Sequence, residues 1–247
     1  MTRTAIDFDA ARSLTGATFL FHGNYGSGKT YLLGDALRTE AQEGPVLFLN
    51  IRGEDGYLSI ADLRGDNFSA ETVDAFDDVR AVFADARKNG VRAVGIDGLH
   101  RLYGLAYVKA LGSNRIPVVG GSKNEWSDVH KLVEDLIDEF RYFVPFVLCT
   151  SATDKSVDQI KGETHTTPNF PGRNAAGIAG HFDYVFFLDS EVLGPSRIRR
   201  KLLTAPVSKM VVRYRLPKPL PTEIIMPEGP GGWALVKNEI LKALAKA

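Results

Sequence analysis

The segment Gly23–Thr30 constrains the fold more than any other part of the chain. Its sequence, G-N-Y-G-S-G-K-T, fits the pattern G-x-x-x-x-G-K-[ST]. The apolar run Ala17–Phe21 precedes it, and the helical pattern of Tyr31–Glu43 follows it. This order places a strand, a tight glycine-rich turn and a helix one after another. The segment therefore predicts a phosphate-binding loop, with a nucleoside triphosphate and Mg²⁺ as its ligands.

Each residue type in this loop has a chemical reason. The glycines let the backbone turn so that successive N–H groups surround phosphate oxygens, and the N-terminus of the next helix adds partial positive charge. Lys29 is expected to reach the β- and γ-phosphates, and the Thr30 hydroxyl to ligate Mg²⁺. The predicted nucleotide contacts are Gly23, Asn24, Tyr25, Gly26, Ser27, Gly28, Lys29 and Thr30.

Apolar runs alternate with helical patterns along most of the chain, which predicts an α/β fold with a mostly parallel central sheet flanked by helices. The predicted strands are Ala17–Phe21, Pro45–Leu49, Val91–Ile96, Val144–Thr150 and Tyr184–Leu188. The predicted helices are Tyr31–Glu43, Ala70–Lys88, Asp128–Phe140 with Ser127 as its N-cap, and Ala234–Lys246. The segments Lys201–Thr204 and Met210–Tyr214 are expected to form a C-terminal β-hairpin.

Length and composition limit the remaining possibilities. A chain of 247 residues suits one large domain, here residues 1–230, with a C-terminal helix at 231–247. The formal net charge is zero, so binding to nucleic acid would need a local patch. The single cysteine, Cys149, excludes an internal disulfide and fits a reducing compartment. Without an apolar leader or membrane-spanning run, we expect a cytoplasmic protein with no membrane partner.

Three further residues are candidates for the nucleotide site. Asp97 ends an apolar strand and is expected to hold Mg²⁺, since the metal needs a carboxylate beyond the loop hydroxyl. Glu54 follows the second strand and is the candidate for orienting the attacking water, although it could equally be an exposed turn residue. Thr150 ends the fourth strand, where it could sense the γ-phosphate or simply bond to nearby backbone.

The order of segments along the chain resembles that of phage-type single-domain P-loop ATPases with a RecA/RadA-like core, the single-strand-annealing recombinases of the AAA-domain type. The resemblance covers roughly Thr15 to Pro227. Beyond the phosphate-binding loop, it rests on Val94–Asp97, Glu125–Val129, Phe146–Ala152, His181–Val185, Arg200–Thr204 and Val212–Pro217.

This resemblance implies a RecA-like ATPase that binds single-stranded DNA and acts in recombination or annealing. It further implies self-assembly into a ring or filament with ATP between subunits, possible contact with a single-strand-binding protein, and a phage-infected bacterial cytoplasm as the setting.

The resemblance also implies roles for particular residues. The segment Asp154–Arg173 is similar to the family's mobile DNA-contacting loop, where Lys155, Lys161 and Arg173 would follow phosphates and Phe170 would stack on a base. Ordinary solvated loop charges are the alternative.

The pair Arg213 and Arg215 resembles the family's basic pair that reaches the γ-phosphate of a neighbouring subunit. Alternate strand residues share a face, so both guanidinium groups can point the same way. Structural ion pairs on an exposed strand are the alternative.

Two positions depart from the family pattern. Arg52 stands where a Glu is expected, so Glu54 would have to substitute through a shifted turn, or hydrolysis would be slow. Arg213 replaces the usual Lys, which keeps the charge. A separate basic run, Arg197–Lys201, favours a protected sheet edge over a binding patch.

Three functions remain open from the sequence. The first is the ATP-dependent single-stranded-DNA-binding protein described above. The second is a nucleoside or nucleotide kinase, which would use an Arg-rich lid. The third is an ATP-bound scaffold with negligible hydrolysis, for which the Arg52 departure is the main support.

Overall fold

A computed structural model describes the fold of residues 14, 16–113, 115–117, 125–158, 163–171, 175–194, 197–206 and 209–245. Its strands are β1 (Ala17–Gly23), β2 (Val46–Ile51), β3 (Phe68–Val73), β4 (Ala93–Asp97), β5 (Phe146–Asp158), β6 (Glu163–Pro168), β7 (Tyr184–Gly194), β8 (Arg197–Leu203), β9 (Lys209–Met210), β10 (Arg213–Tyr214) and β11 (Glu223–Ile225). Its α-helices are α1 (Lys29–Glu40), α2 (Phe76–Lys88), α3 (Leu102–Leu111), α4 (Glu125–Phe140), α5 (Ala175–Ala179) and α6 (Gly232–Leu244). Short 3-10 helices cover Gly56–Leu63 and Leu99–Arg101.

The central sheet has the strand order β11-β8-β7-β1-β5-β4-β2-β3. The six strands from β7 to β3 in this order run parallel, and β8 and β11 extend the sheet antiparallel. The phosphate-binding loop follows β1, which lies between β5 and β7. Ligands of such sheets bind at the carboxyl ends of the strands, and this is the end at which β1 meets the loop.

Both faces of the sheet are covered by helices, as the near-continuous apolar strands predict. Successive strand residues point to opposite faces. Residues such as Phe19 and Phe48 therefore pack with α1 and α6, whereas Leu49 and Ile96 pack with α2, α3 and α4. The result is a three-layer α/β/α arrangement. Among the described residues, no helix is both long and apolar enough to cross a bilayer.

The C-terminal helix α6 is built into this core. Asp35 of α1 accepts hydrogen bonds from the backbone N–H groups of Gly231 and Trp233, each at 2.8 Å. These donors belong to the first turn of α6, where no partner exists within the helix. The buried Glu40 accepts from Trp233 Nε1 at 2.9 Å and from Lys237 Nζ at 2.7 Å. Two carboxylates of α1 thus hold the helix that the sequence sets apart as residues 231–247.

The sequence-based prediction is wrong in two segments. Residues 70–73 belong to strand β3, not to the helix, because they pair in parallel with β2; the helix begins at Phe76. The predicted hairpin partners do not pair with each other. The segment Lys201–Leu203 pairs with β7 and β11, Met210 pairs with β6, and Arg213–Tyr214 pairs with β7. The hairpin near the C-terminus is formed instead by β7 and β8.

The start of α4 also differs from the prediction. The helix already includes Glu125, so Ser127 is its third residue and not its N-cap.

Candidate nucleotide site

The phosphate-binding loop lies at the carboxyl end of β1 and leads directly into α1. A cleft of about 490 Å³ opens in front of it. The loop, the end of β4, the middle of β5 and the turn after β2 all contribute to the cleft. The sequence-predicted residues Lys29, Thr30, Glu54, Asp97 and Thr150 all line it. The structure therefore brings together side chains that are far apart in the sequence. Lys29 and Thr150, for example, are separated by 121 positions.

Lys29 crosses the inside of the loop. Its ammonium donates hydrogen bonds to the carbonyl oxygens of Gly23 and Asn24, both at 2.9 Å. Burial lowers the pKa of Lys29, while the charges of Asp97 and Glu54 oppose this shift. A partly buried cation with only neutral hydrogen-bond partners gains from an added anion. The arrangement therefore suits the phosphate chain predicted from the sequence.

The rest of the loop differs from residue to residue. Tyr25 is 81% exposed, and its ring lies 5.9 Å from the Lys29 ammonium. Ser27 is fully buried, and its hydroxyl has no hydrogen-bond partner among the described residues. Gly28 has a φ of +95°, the left-handed conformation that glycine adopts without strain. Tyr25 and Gly28 both line the cleft.

Thr30 and Asp97 form the candidate magnesium site. The Thr30 hydroxyl lies 3.1 and 3.0 Å from the two Asp97 oxygens. Burial raises the pKa of Asp97, and hydrogen bonds from Thr150 and Thr30 work in the opposite direction. These hard oxygen donors fit Mg²⁺, which usually takes one or two protein side chains together with phosphate oxygens and water. No group of three or more His, Cys, Asp or Glu in the described part of the chain could hold a metal without a substrate.

Thr150 positions Asp97. Its hydroxyl donates to Asp97 Oδ1 at 2.5 Å and accepts from the Gly98 N–H at 2.9 Å. Both bonds fix the carboxylate at the end of β4. The sequence-based hypothesis is that Thr150 senses the γ-phosphate, but in the structure its hydroxyl already makes these two hydrogen bonds. The neighbouring Ser151 is buried, and its hydroxyl donates to the Ala152 carbonyl oxygen.

Glu54, not Arg52, faces the cleft. The Arg52 side chain is 74% exposed and pairs with Asp74 at 3.8 Å, outside the site. The Glu54 side chain is 23% exposed and lines the cleft. The turn after β2 thus carries the acidic residue two positions later than the family pattern expects. The Glu54 side chain packs so closely over Gly98 that a Cβ atom at position 98 would overlap it.

Two basic residues from the segment after β4 hold the Glu54 carboxylate. Arg101 Nε donates to Glu54 Oε1 at 3.0 Å, and His100 Nε2 lies 3.3 Å from the same oxygen. The bond from His100 is the largest cause of the lowered pKa of Glu54, and Arg101 adds to it. Glu54 is therefore ionised at neutral pH. Neither basic residue stood out in the sequence, since only the fold places the turn after β2 beside them.

The arginine pair lies at the opposite end of the sheet. Arg213 Nη1 and Arg215 Nη2 both donate to the Gly180 carbonyl oxygen, at 3.0 and 3.4 Å, and Arg215 also pairs with Asp183 at 3.3 Å. The two guanidinium groups share a face, as alternation along a strand predicts. Asp183 accepts from Thr18, near the start of β1. The distance from Thr18 to the loop is roughly 17 Å along β1, so this pair lies away from the phosphate-binding loop of its own chain.

The predicted DNA-contacting loop is largely a β-hairpin. The end of β5 pairs with β6 in an antiparallel ladder from Thr153 to Asp158, and β9 pairs with β6 on the other side. Lys155 is exposed on β5. Lys161 and Arg173 lie outside the described residues. The structure contradicts base stacking by Phe170, because this side chain is only 5% exposed and packs in the core near Tyr103, with ring centroids 6.1 Å apart.

The basic run Arg197–Lys201 belongs to β8. Three of its members have acidic partners: Arg199 pairs with Glu191 at 2.6 Å, Lys201 with Asp189 at 3.9 Å, and Arg197 with Glu228 at 4.0 Å. Strand β8 lies between β7 and β11, so it is not the sheet edge expected from the sequence. The ion pairs leave little free charge for a kinase lid. Arg200 differs, because it lines the nucleotide cleft. The alternation of β8 was the signal in the sequence that could have separated it from its neighbours.

His22 connects the loop-bearing strand to two other segments. Its Nε2 donates to the Val211 carbonyl oxygen at 2.7 Å, and its Nδ1 lies 3.3 Å from the Thr153 hydroxyl at the base of the hairpin. Burial lowers the pKa of His22 to about 4, and the Lys29 charge adds to the shift. The ring is therefore neutral at physiological pH.

We expect His22 to make the protein less stable in acid. The unfolded chain binds a proton near pH 6.5 and the folded chain only near pH 4, so stability falls as the pH decreases through this window, by about 3 kcal/mol at most. Urea unfolding of wild type and His22→Gln at several pH values measures this. The stability advantage of wild type should shrink from pH 7 to pH 4. His165→Gln, on the partly exposed part of the hairpin, is the control, and a constant wild-type advantage would contradict the expectation.

No family model matches the sequence, and no curated protein matches it. Among solved structures, the fold is similar to that of a KaiC-like protein from the hyperthermophilic archaeon Pyrococcus horikoshii. The two chains superpose with a TM-score of 0.56 at 14% sequence identity, over 88% of each chain. This likeness confirms the RecA-like α/β fold. The resemblance to phage-type annealing recombinases stays a prediction.

Proposed function

We propose that this protein binds and hydrolyses ATP and uses the bound nucleotide to control its affinity for single-stranded DNA, in recombination or strand annealing. One observation carries the proposal. Strand β5 passes the nucleotide cleft at Thr150 and continues without a break into the exposed hairpin that carries Lys155. Thr150, which lines the cleft, is thus only five residues away from the exposed Lys155 on the same strand.

The geometry of the cleft supports nucleotide binding. The N–H groups of the loop and the N-terminus of α1 face the phosphates, and the Lys29 ammonium neutralises the β- and γ-phosphate oxygens. Thr30 and Asp97 would hold Mg²⁺. When bound, that ion neutralises charge on the phosphate oxygens.

Hydrolysis requires a water molecule directed at the γ-phosphorus. Glu54 is ionised and lies across the cleft from Lys29, so its carboxylate can accept a hydrogen bond from this water. The water oxygen forms a bond to phosphorus, the bond to the ADP oxygen breaks, and the water proton leaves towards Glu54 or solvent. Arg101 and His100 keep the carboxylate in place.

The same contacts favour one alternative. Because Arg101 and His100 already engage the Glu54 carboxylate, the water would compete with two existing contacts, and turnover would be slow. A chain of this kind would act as an ATP-bound scaffold with negligible hydrolysis.

We propose further that the chain assembles with copies of itself. The phosphate-binding loop and the pair Arg213 and Arg215 lie at opposite ends of the sheet, so a neighbouring copy could bring this pair to the γ-phosphate. Self-assembly would then complete the site and couple nucleotide state to assembly.

Binding of a labelled single-stranded oligonucleotide, followed by fluorescence anisotropy, tests the proposal. We expect the tightest binding with ATP and Mg²⁺, and weaker binding with ADP or without nucleotide, because the nucleotide and the hairpin share β5. Absence of binding under all these conditions at low salt would contradict the DNA function and leave nucleotide binding unaffected.

The substitution Lys155→Ala addresses the hairpin itself. If Lys155 contacts one phosphate, its loss should weaken binding several-fold and reduce the salt dependence, the slope of log K against log salt, by about 0.7. Lys242→Ala is the matched control, since Lys242 lies on α6 and pairs with Glu239. Equal effects of the two substitutions would show that the hairpin is not the DNA surface.

A further inference from the structure

The arginine at position 200 stands apart from the other basic residues of its strand. Arg197, Arg199 and Lys201 point to one side of β8 and pair with carboxylates. Arg200 points to the other side, which it shares with the fully buried Leu202. Within the described residues, its buried Nε has no hydrogen-bond partner.

Arg200 lies directly on the phosphate-binding loop. A Cβ atom built on Gly28 would lie 2.8 Å from Arg200 Nε and 2.9 Å from its Cδ. The guanidinium group therefore passes over Gly28, and only a glycine leaves room for it. The backbone beneath the side chain is fixed on both sides, by pairing with Ser190 of β7 and by a hydrogen bond from Met226 N–H to the Arg200 carbonyl oxygen at 2.9 Å.

The position along the cleft indicates which part of the nucleotide this cation meets. Lys29, Thr30, Asp97 and Glu54 mark the end that receives the β- and γ-phosphates and Mg²⁺. Arg200 also lines a smaller neighbouring cavity, together with Tyr31, Met226 and Pro227. Tyr31 follows the loop in the first turn of α1. Arg200 thus lies at the nucleoside end of the cleft.

We infer that Arg200 binds the α-phosphate of the nucleotide held in the same subunit. The inference rests on the proposed triphosphate binding and adds a positive group to it from β8, about 170 residues after the loop. An unpaired guanidinium with free N–H donors is suited to phosphate oxygens, since each such charge-assisted bond is strong. Because ATP and ADP share the α-phosphate, Arg200 should serve both nucleotides equally.

Calorimetric titration of the full chain with Mg·ATP and with Mg·ADP tests this. Arg200→Met removes the charge but keeps an unbranched side chain over Gly28, and Arg200→Ala removes both. We expect each substitution to weaken ATP and ADP binding by the same factor, about tenfold to hundredfold. Arg199→Ala is the matched control, because it removes the neighbouring arginine on the other side of the strand and should leave both affinities unchanged.

Three results would overturn the inference. Wild-type affinity in Arg200→Met would show that the side chain only packs on the loop. A loss for ATP with none for ADP would place Arg200 at the γ-phosphate. Failure of the wild-type chain to bind either nucleotide would contradict triphosphate binding itself, and this assignment with it.

Discussion

Replacing Lys29 with alanine should lower the affinity for Mg·ATP by about a hundredfold or more. The ammonium is held across the loop by the Gly23 and Asn24 carbonyl oxygens, so it is positioned before the ligand arrives. Removing one partner of a buried, hydrogen-bonded charge pair costs about 2–5 kcal/mol, and each 1.4 kcal/mol corresponds to about a factor of ten. Fluorescence or calorimetric titration with ATP measures the loss directly.

The same substitution should leave the fold intact. Burial already lowers the pKa of Lys29, which means that desolvation of this cation disfavours its charged form. We therefore expect the unfolding temperature of Lys29→Ala without nucleotide to equal or exceed that of wild type, while stabilisation by ATP disappears. Lys29→Met, which keeps the length of the side chain, should behave in the same way. ATP affinity retained in both variants would show that the triphosphate binds elsewhere.

Replacing Glu54 with glutamine should reduce the rate of ATP hydrolysis by about a hundredfold or more while changing ATP affinity only a few-fold. A positioned general base typically contributes about 10²–10⁴ to the rate. Glutamine keeps the shape and the contact over Gly98 but cannot accept the proton. Single-turnover hydrolysis at saturating ATP separates the chemical step from binding.

Arg52→Ala is the matched control for this prediction. Arg52 occupies the position where the family pattern expects the acidic residue, yet its side chain is exposed and pairs with Asp74. Its removal should leave the rate unchanged. Measurable and equal rates in wild type and Glu54→Gln would assign the water to another residue. Negligible rates in both would favour the ATP-bound scaffold.

Local signals in the sequence are sufficient to place the glycine-rich loop after β1 and Asp97 at the end of β4. The loop depends on consecutive residues that set its own backbone, and Asp97 ends an apolar strand whose carboxyl end must face the ligand. Both features are present in the structure, because neither depends on pairing with residues distant in the sequence. For the same reason, the sequence could place the candidate for orienting the attacking water, Glu54, in the turn after the second strand.

Non-local pairing explains what the sequence could not show. Residues 70–73 continue the apolar spacing of α2, and only their pairing with β2 makes them a strand. Met210 and Arg213 are close in sequence but pair with different strands, so no hairpin signal could have been correct there. The family resemblance assigned Phe170 to base stacking, whereas its side chain packs in the core beside Tyr103. Arg200 lies in a run of basic residues, and only its place on the opposite face of β8 distinguishes it from Arg197, Arg199 and Lys201.

The attachment of α6 to α1 has a consequence for biosynthesis. Asp35 and Glu40 are fully or almost fully buried, and their partners Trp233 and Lys237 follow them by 193–198 residues. Until those partners arrive, the Asp35 carboxylate lacks the two hydrogen bonds from Gly231 and Trp233, and Glu40 has only Arg92 as its cationic partner, which is unfavourable for packing. A ribosome adds about 5–20 residues per second. The first βα unit to emerge therefore waits roughly ten seconds or more for the helix that completes its support, and the nucleotide cleft is among the last parts of the molecule to mature.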